Sequence, residues 1–319
     1  MTLLVSVILC THNPRPDYLR RALDGLKAQD RAHADWELLF VDNASASPLA
    51  PAWDLSWHPS ARHIREDELG LTPARLRGIA EAQGDLLVFV DDDNVLEPGF
   101  LTRAADLLER SPHLGAFGAG RIEPEFESEP APEVRPQLPL LALRSVNKDA
   151  WSNTPSDAAC LPWGAGLCVT RRVAAAFAGL LQRLRVTPVL GRRGQQLLSG
   201  EDDLFSWAAA EMGLGFGIFP ALGLKHLISS NRLRHDYFVR LIRGHAFSHG
   251  VMNFLLSGHA PRGGSDLGGG VRLLLHGVKN GRFSFRCQWA ARRGRRDAAR
   301  FIARHRLNPV PFGAPVLAS

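Results

Sequence analysis

Three acidic clusters are the residues of this chain best suited to chemistry. Asp91, Asp92 and Asp93 follow the apolar run Leu86 to Val90 without a break. Adjacent carboxylates repel one another unless a cation neutralises them. Their hard oxygens suit Mg2+ or Mn2+, ions that usually complete their shells with substrate phosphates. An isolated triple would read as a solvated acidic turn, but five apolar residues before it place this one at the end of a buried strand. Asp42 closes a second run, Glu37 to Val41, where a carboxylate can accept a hydrogen bond from a nucleobase N–H or a ribose hydroxyl. Alone, such an aspartate is as readily a turn former. Glu201, Asp202 and Asp203 open a helical pattern. The macrodipole alone favours acids there, so this cluster gains meaning only because a metal–diphosphate site needs a base.

The elements that must position these groups are legible as short apolar runs alternating with amphipathic segments. Val5 to Cys10 is strand-like, and Asp17 to Gln29 is helical with Leu19, Ala22, Leu23 and Leu26 on one face. Glu37 to Val41 and a short His63 to Arg65 are further strands. Thr72 as N-cap and Pro73 in the first turn open a helix running to about Gln83. Another helix follows Pro98. Strand–helix alternation with short connections predicts a doubly wound α/β sheet, whose ligands bind beyond the carboxyl ends of its strands. The proline- and acid-rich stretch 123–140 reads as a loop between two halves. Residues 161–170 read as a strand, and 201–212 and 234–256 as helices. The glycine-rich 263–270 reads as a hinge.

The chain has 319 residues, 45% hydrophobic and 22% charged, with a net charge of +6. Much of the excess lies in arginines after residue 280, interleaved with Phe283, Phe285, Trp289, Phe301 and Ile302 as in surface-lying amphipathic helices. The alternative is a helix whose apolar face packs on its own domain. Such a tail favours anionic partners: peripheral contact with an anionic membrane is the one expected, and nucleic acid is not. Cys10, Cys160, Cys168 and Cys287 have no paired spacing and read as reduced thiols. The first apolar run is too short to span a membrane, and a cytoplasmic protein is expected, peripheral at most to the inner face of the membrane. Leu141 to Arg144 and Arg192-Arg193 could reach an anionic acceptor, but read first as solvated surface. A sugar nucleotidyltransferase would want a glycine-rich loop after the first strand, where Cys10-Thr11-His12-Asn13-Pro14 stands. A dinucleotide fingerprint is likewise missing there. A non-catalytic protein acting through its basic tail is the remaining rival, opposed by intact carboxylates in all three clusters.

Taken in order, the motifs resemble the inverting GT-A glycosyltransferases of glycosyltransferase family 2. They are Val5 to Asn13, Val41 to Ser45, Gly70 to Ile79, Gly84 to Asp93, Trp163 to Gly166 before Thr170-Arg171-Arg172, Ser199 to Leu204, and Pro220 to His226. The resemblance implies a catalytic domain over 1–230, with a nucleotide-binding half (1–122) and an acceptor-binding half (141–230). A helical basic extension follows over 231–319. Thr11 would hold the nucleotide and Asp42 its base, commonly uracil, with Arg75 near base or diphosphate. Asp91 and Asp92 would face ribose and sugar, and the backbone of Gly164 and Gly166 would approach donor sugar or acceptor. Asp93, with Asp91 and His226, would hold Mn2+ or Mg2+. Asp202 would be the catalytic base with Glu201 beside it. The resemblance implies as partners a nucleotide-sugar, UDP-linked as the family's commonest donor is, and a glycan or lipid-linked acceptor in polysaccharide or glycoconjugate synthesis. Two departures leave the donor base open: His12 stands where an aromatic residue is frequent, and Asn43-Ala44 where an acidic–glycine pair is commoner.

Overall fold

The computed structural model describes residues 4–184, 200–261 and 267–309, with side chains throughout except over 267–280. In chain order the elements are β1 (Val5–Thr11), α1 (Pro16–Lys27), β2 (Trp36–Asn43), β3 (Ala61–Glu66), α2 (Leu71–Glu81), β4 (Leu86–Asp91) and β5 (Asn94–Leu96). Then come α3 (Phe100–Arg110), β6 (Leu114–Phe126), β7 (Arg144–Ser145), β8 (Ala150–Ser152), β9 (Leu167–Thr170), α4 (Arg171–Leu184) and α5 (Glu201–Glu211). The chain continues with β10 (Gly215–Ile228), α6 (His235–Ser257) and α7 (Leu267–His305). Two compact units result. The first takes the chain up to Glu125, Ala142–Arg183 and Glu201–Ile228. The second gathers Phe126–Leu141 with the chain from Ser229 onward.

The first unit is the expected α/β sheet flanked by helices. Its strands run in the order β3-β2-β1-β4-β9-β6-β10-β5. The first four are mutually parallel, and β9 then pairs antiparallel with both β4 and β6. Every residue of β1 and β2 is buried, as in strands covered on both faces, and the buried Ser6 hydroxyl donates to Glu37. α1 buries Leu19, Ala22, Leu23 and Leu26, the face its 3.6-residue period marks out. α2 lies close on β1, since a Cβ at Gly78 would drive into the Ile8 side chain.

Three expectations are corrected. Thr72 does not cap α2: the cap position is Gly70, at φ 145, with no side-chain cap bond, and the Thr72 hydroxyl donates to Glu201 instead. The stretch 123–140 is not all loop, because β6 runs on to Phe126 and residues 135–141 form a 3-10 helix. The strand expected over 161–170 is only Leu167–Thr170; the glycines before it form the approach loop.

In the second unit α7 carries a break at Gly281 (φ 85, ψ 167), not over Gly268–Gly270, which are helical. Gly263 and the Arg192–Arg193 pair lie outside the described residues. The arm after Gly281 runs alongside α6 in the same sense. His235 stacks on Phe283, Arg286 pairs with Asp236, Arg243 with Asp297, and Phe247 meets Phe301 edge-on. Gly250 sits where a Cβ would be 2.9 Å from that of Ala298, so small residues set the close approach. Among the described residues no helix is long and apolar enough to cross a membrane.

Candidate active site

β1 lies between β2 and β4, and the register sets Thr11 beside Asp42 and Cys10 beside Asp91. From β1 the chain adds β2 and then β3 on one side, and crosses back to place β4 on the other. That reversal opens a crevice beyond the carboxyl ends of β1 and β4. The Thr11 hydroxyl donates across it to Asp92 Oδ2 at 2.5 Å. Asp93 accepts from Asn94 Nδ2 at 2.9 Å and lies 3.3 Å from His226 Nε2. These residues meet because β5 pairs antiparallel with β10, which sets His226 opposite Asn94. His226 is 5% exposed and Asp93 18%, while Asp91 keeps 34% of its side chain open. Hard oxygens with an imidazole at hand fit Mn2+ or Mg2+, and Asp91, Asp93 and His226 are the residues that would hold the ion. Among the described residues no group of three or more histidine, cysteine, aspartate or glutamate side chains is gathered closely enough to hold a metal ion, these three included.

Asp42 is buried and heavily engaged. Oδ1 accepts the Ser45 N–H at 3.1 Å; Oδ2 accepts the Leu49 N–H at 3.1 Å and Arg65 Nη1 at 2.8 Å. Burial pushes its carboxyl up, but the bonds from Ser45, Arg65 and Leu49 outweigh it and hold the pKa below the ordinary value. Its neighbour Asn43 ties the following loop, reaching the carbonyls of Glu66 and Glu68 and the N–H of Gly70. Ala44 takes a left-handed φ of 51, a conformation that suits the glycine more common there. His12 Nδ1 reaches the Asn43 carbonyl at 2.7 Å.

Arg75 connects the two carboxylate regions. Its Nη1 lies 2.7 Å from Glu201 Oε1 and its Nη2 3.8 Å from Asp91 Oδ1, with Phe89 beneath the guanidinium. Thr72 donates to the other Glu201 oxygen. Burial works against the Arg75 charge, but Glu201 and Asp91 outweigh it and raise its pKa. Burial pushes Glu201 up, and Arg75 and Thr72 restrain that rise. Asp202, the next residue, points elsewhere: its Oδ2 accepts the Gly164 N–H at 2.9 Å. A Cβ on Gly164 would sit 2.6 Å from Arg75 Nη2, and Gly166 takes φ 69 with Leu224 and Phe100 against it. Both glycines of the loop are therefore demanded by the packing.

Arg144 differs from its expected place on solvated surface. It is half-buried and lies over the Trp163 ring at 3.5 Å. Burial lowers its pKa to about 10, with Asp202 and Asp203 acting against that fall. Asp203 is pushed up to about 7, first by burial and then by Asp202. The sequence carries only a partial signal for this group, the tryptophan that directly precedes the glycine loop. The distance from Arg144 to Trp163 along the chain hides the stacking. Cys10 and Cys168 are buried thiols pushed far up by burial, and Cys160 and Cys287 are buried as well.

The fold is that of the GT-A glycosyltransferases. The mannosyltransferase PcManGT from Pyrobaculum calidifontis, solved in complex with GDP-Man and Mn2+, superposes with a TM-score of 0.57 at 19% identity, covering 95% of this chain and 87% of that one. TarS 1–349 from S. aureus gives 0.47 at 14% identity, over 95% of this chain and 92% of that one. No curated protein matches the chain in sequence. The family comparison reaches the strand-end residues Thr11, Asp42 and Asp91 to Asp93, while Asp202 and His226 lie beyond its span. Residues 6–154, a little under half of the chain, match the family model of Glycosyl transferase family 2.

Proposed function

We propose that the chain is a metal-dependent, inverting glycosyltransferase that moves a sugar from a nucleotide donor to an acceptor hydroxyl. One observation carries this reading: Arg75 touches Glu201 and approaches Asp91, so the strand-end carboxylates and the α5 carboxylates border one crevice. Thr11 and Asp42 are assigned to the nucleotide, Asp91 and Asp92 to ribose and sugar, and Asp93 with Asp91 and His226 to the ion. A bound divalent ion supplies neutralisation of the charge that builds on the departing diphosphate. Arg75 holds Glu201 and the neighbouring loop in place. The Gly164–Gly166 backbone leaves room for the sugar.

Asp202 acts as base. Its carboxylate takes the proton of the acceptor hydroxyl as that oxygen forms its bond to the anomeric carbon. The bond from that carbon to the diphosphate oxygen breaks, and the nucleoside diphosphate leaves with the electron pair. One displacement from the opposite face inverts the anomeric centre. The acceptor is assigned as a glycan or lipid-linked glycan in polysaccharide or glycoconjugate synthesis on the cytoplasmic side. Residues 1–230 are assigned to catalysis and 231–319 to a helical extension. The family's habit favours uridine donors; the GDP-Man and Mn2+ of the archaeal neighbour put guanosine donors next.

Calorimetry of UDP and GDP, each with Mn2+ and with chelator, tests the reading. Binding of one nucleotide that disappears with chelator is expected. Equal affinity in both conditions, or binding of neither, overturns it.

A further inference from the structure

The arm of α7 after Gly281 has one side buried and the opposite side cationic. Cys287, Ala290, Gly294, Ala298 and Ile302 are buried, and at 100° per residue they form a single seam. That seam faces α6, through the Gly250–Ala298 approach and the Phe247–Phe301 contact. Opposite the seam stand Arg282, two turns before Trp289, and then, at spacings of three and four from Trp289, Arg293, Arg296, Arg300 and Arg304, all exposed. Trp289 is 52% exposed in their midst. Between residues 282 and 306 there are nine arginines and one acid, Asp297, and that acid is held by Arg243. The stripe from Arg282 to Arg304 is about 33 Å long at 1.5 Å per residue.

This arrangement is not that of a helix that buries its apolar face in lipid, because the apolar face is already spent on α6. We propose that the arginine stripe docks the chain side-on against an anionic bilayer, guanidinium groups on lipid phosphates and Trp289 at headgroup depth. Charge complementarity names an anionic occupant. Two features favour a bilayer over a nucleic acid. The surface is a convex helix face, whereas single strands are held in grooves with several stacking rings. Its one large exposed ring is a tryptophan, the residue enriched where membrane meets water. Guanidinium forks match phosphate oxygens in pairs and suit that surface better than ammonium groups. The inference does not rest on the sugar-transfer reading.

Sedimentation of the full chain with phosphatidylcholine vesicles, with and without phosphatidylglycerol, tests it. Binding is expected only with phosphatidylglycerol, and salt should release it. The combined Arg293→Gln, Arg296→Gln and Arg300→Gln variant should partition on the order of 100-fold more weakly, with unchanged helical circular dichroism. A blue shift of tryptophan emission on binding should vanish in Trp289→Phe. Failure of the full chain to bind phosphatidylglycerol vesicles at low salt overturns the inference, and so does a triple variant that binds as well as its parent. If the arginines instead retain single-stranded RNA or polyphosphate while vesicles stay unbound, the partner is a soluble polyanion and the membrane assignment falls. None of these measurements reads sugar transfer.

Discussion

Arg75 and Glu201, 126 residues apart, form a buried ion pair at 2.7 Å with both side chains 3% exposed. A buried pair of this kind contributes little over an apolar substitute, but removing one partner strands the other's charge. Glu201→Ala is expected to cost about 3–5 kcal/mol. Glu201→Gln keeps an acceptor for Arg75 and should cost less. Both Glu201 oxygens are engaged, by Arg75 and Thr72, so Glu201→Gln should also retain far more transfer than a change at Asp202. Urea unfolding and initial rates check both points. A Glu201→Ala variant within about 1 kcal/mol of the parent would show the pair to be dispensable.

Gly164 joins two features of the site. Its N–H holds Asp202, and its bare Cα leaves room for Arg75 Nη2, which a Cβ would meet at 2.6 Å. The end of a free arginine would simply swing aside. Here the guanidinium is buried and tied to Glu201, so the clash must displace the pair or the loop. Gly164→Ala is expected to lose about 1–3 kcal/mol and most of its transfer. Near-normal rates in that variant would show that the loop gives way without disturbing Asp202.

Asp203 gives the chain a pH-dependent stability with a definite sign. Burial and the neighbouring Asp202 raise its folded pKa from 3.8 to about 7, with Arg144 pulling the other way. Between those values the folded chain keeps a proton that the unfolded chain has released. Unfolding therefore releases a proton, and stability falls as pH rises from about 4 to 7. The slope from this one group is at most about 1.4 kcal/mol per pH unit. Asp203→Asn mimics the protonated form and should flatten that part of the curve. Chemical denaturation of parent and variant across the range reads the difference; parallel curves would refute the assignment.

The parallel half of the fold was legible because its central strands β1 and β4 are largely apolar and β4 leads into the carboxylates Asp91 to Asp93, whereas the edge strand β3 is mostly polar. Val5 to Cys10 and Leu86 to Val90 announce burial on both faces, and α1 shows its buried face by period alone. β6 and β10 were harder to read. Gly118, Gly120, Gly217 and Gly223 and the polar positions of both strands blur any alternation. Of the site, Asp42, Asp91 and Asp93 were marked by strand ends. Thr72 was read as a local cap because nothing near it in sequence hints at Glu201, 129 residues away. Arg144 on Trp163 was hidden for the same reason. Composition can show that arginines and aromatics share a tail, but only packing on α6 shows which of them remain exposed.

The proposed division of labour between Asp93 and Asp202 separates binding from catalysis. Asp93 stands beside His226 at the β4 edge, while Asp202 holds the Gly164 backbone at the start of α5. Asp93→Ala removes a ligand for the ion and should damage nucleotide binding and transfer together. Asp202→Asn keeps the shape and can still accept the Gly164 N–H, but an amide is a very poor base. Transfer should fall by about 10²–10⁴-fold with donor affinity near that of the parent. Loss of rate without loss of binding marks a group used in the transition state only. Calorimetry with donor nucleotide and Mn2+, beside initial rates, reads the two quantities, and thermal unfolding checks that each variant folds. An Asp202→Asn enzyme that transfers at the parent's rate places the base elsewhere. One that loses nucleotide as badly as Asp93→Ala removes the division itself.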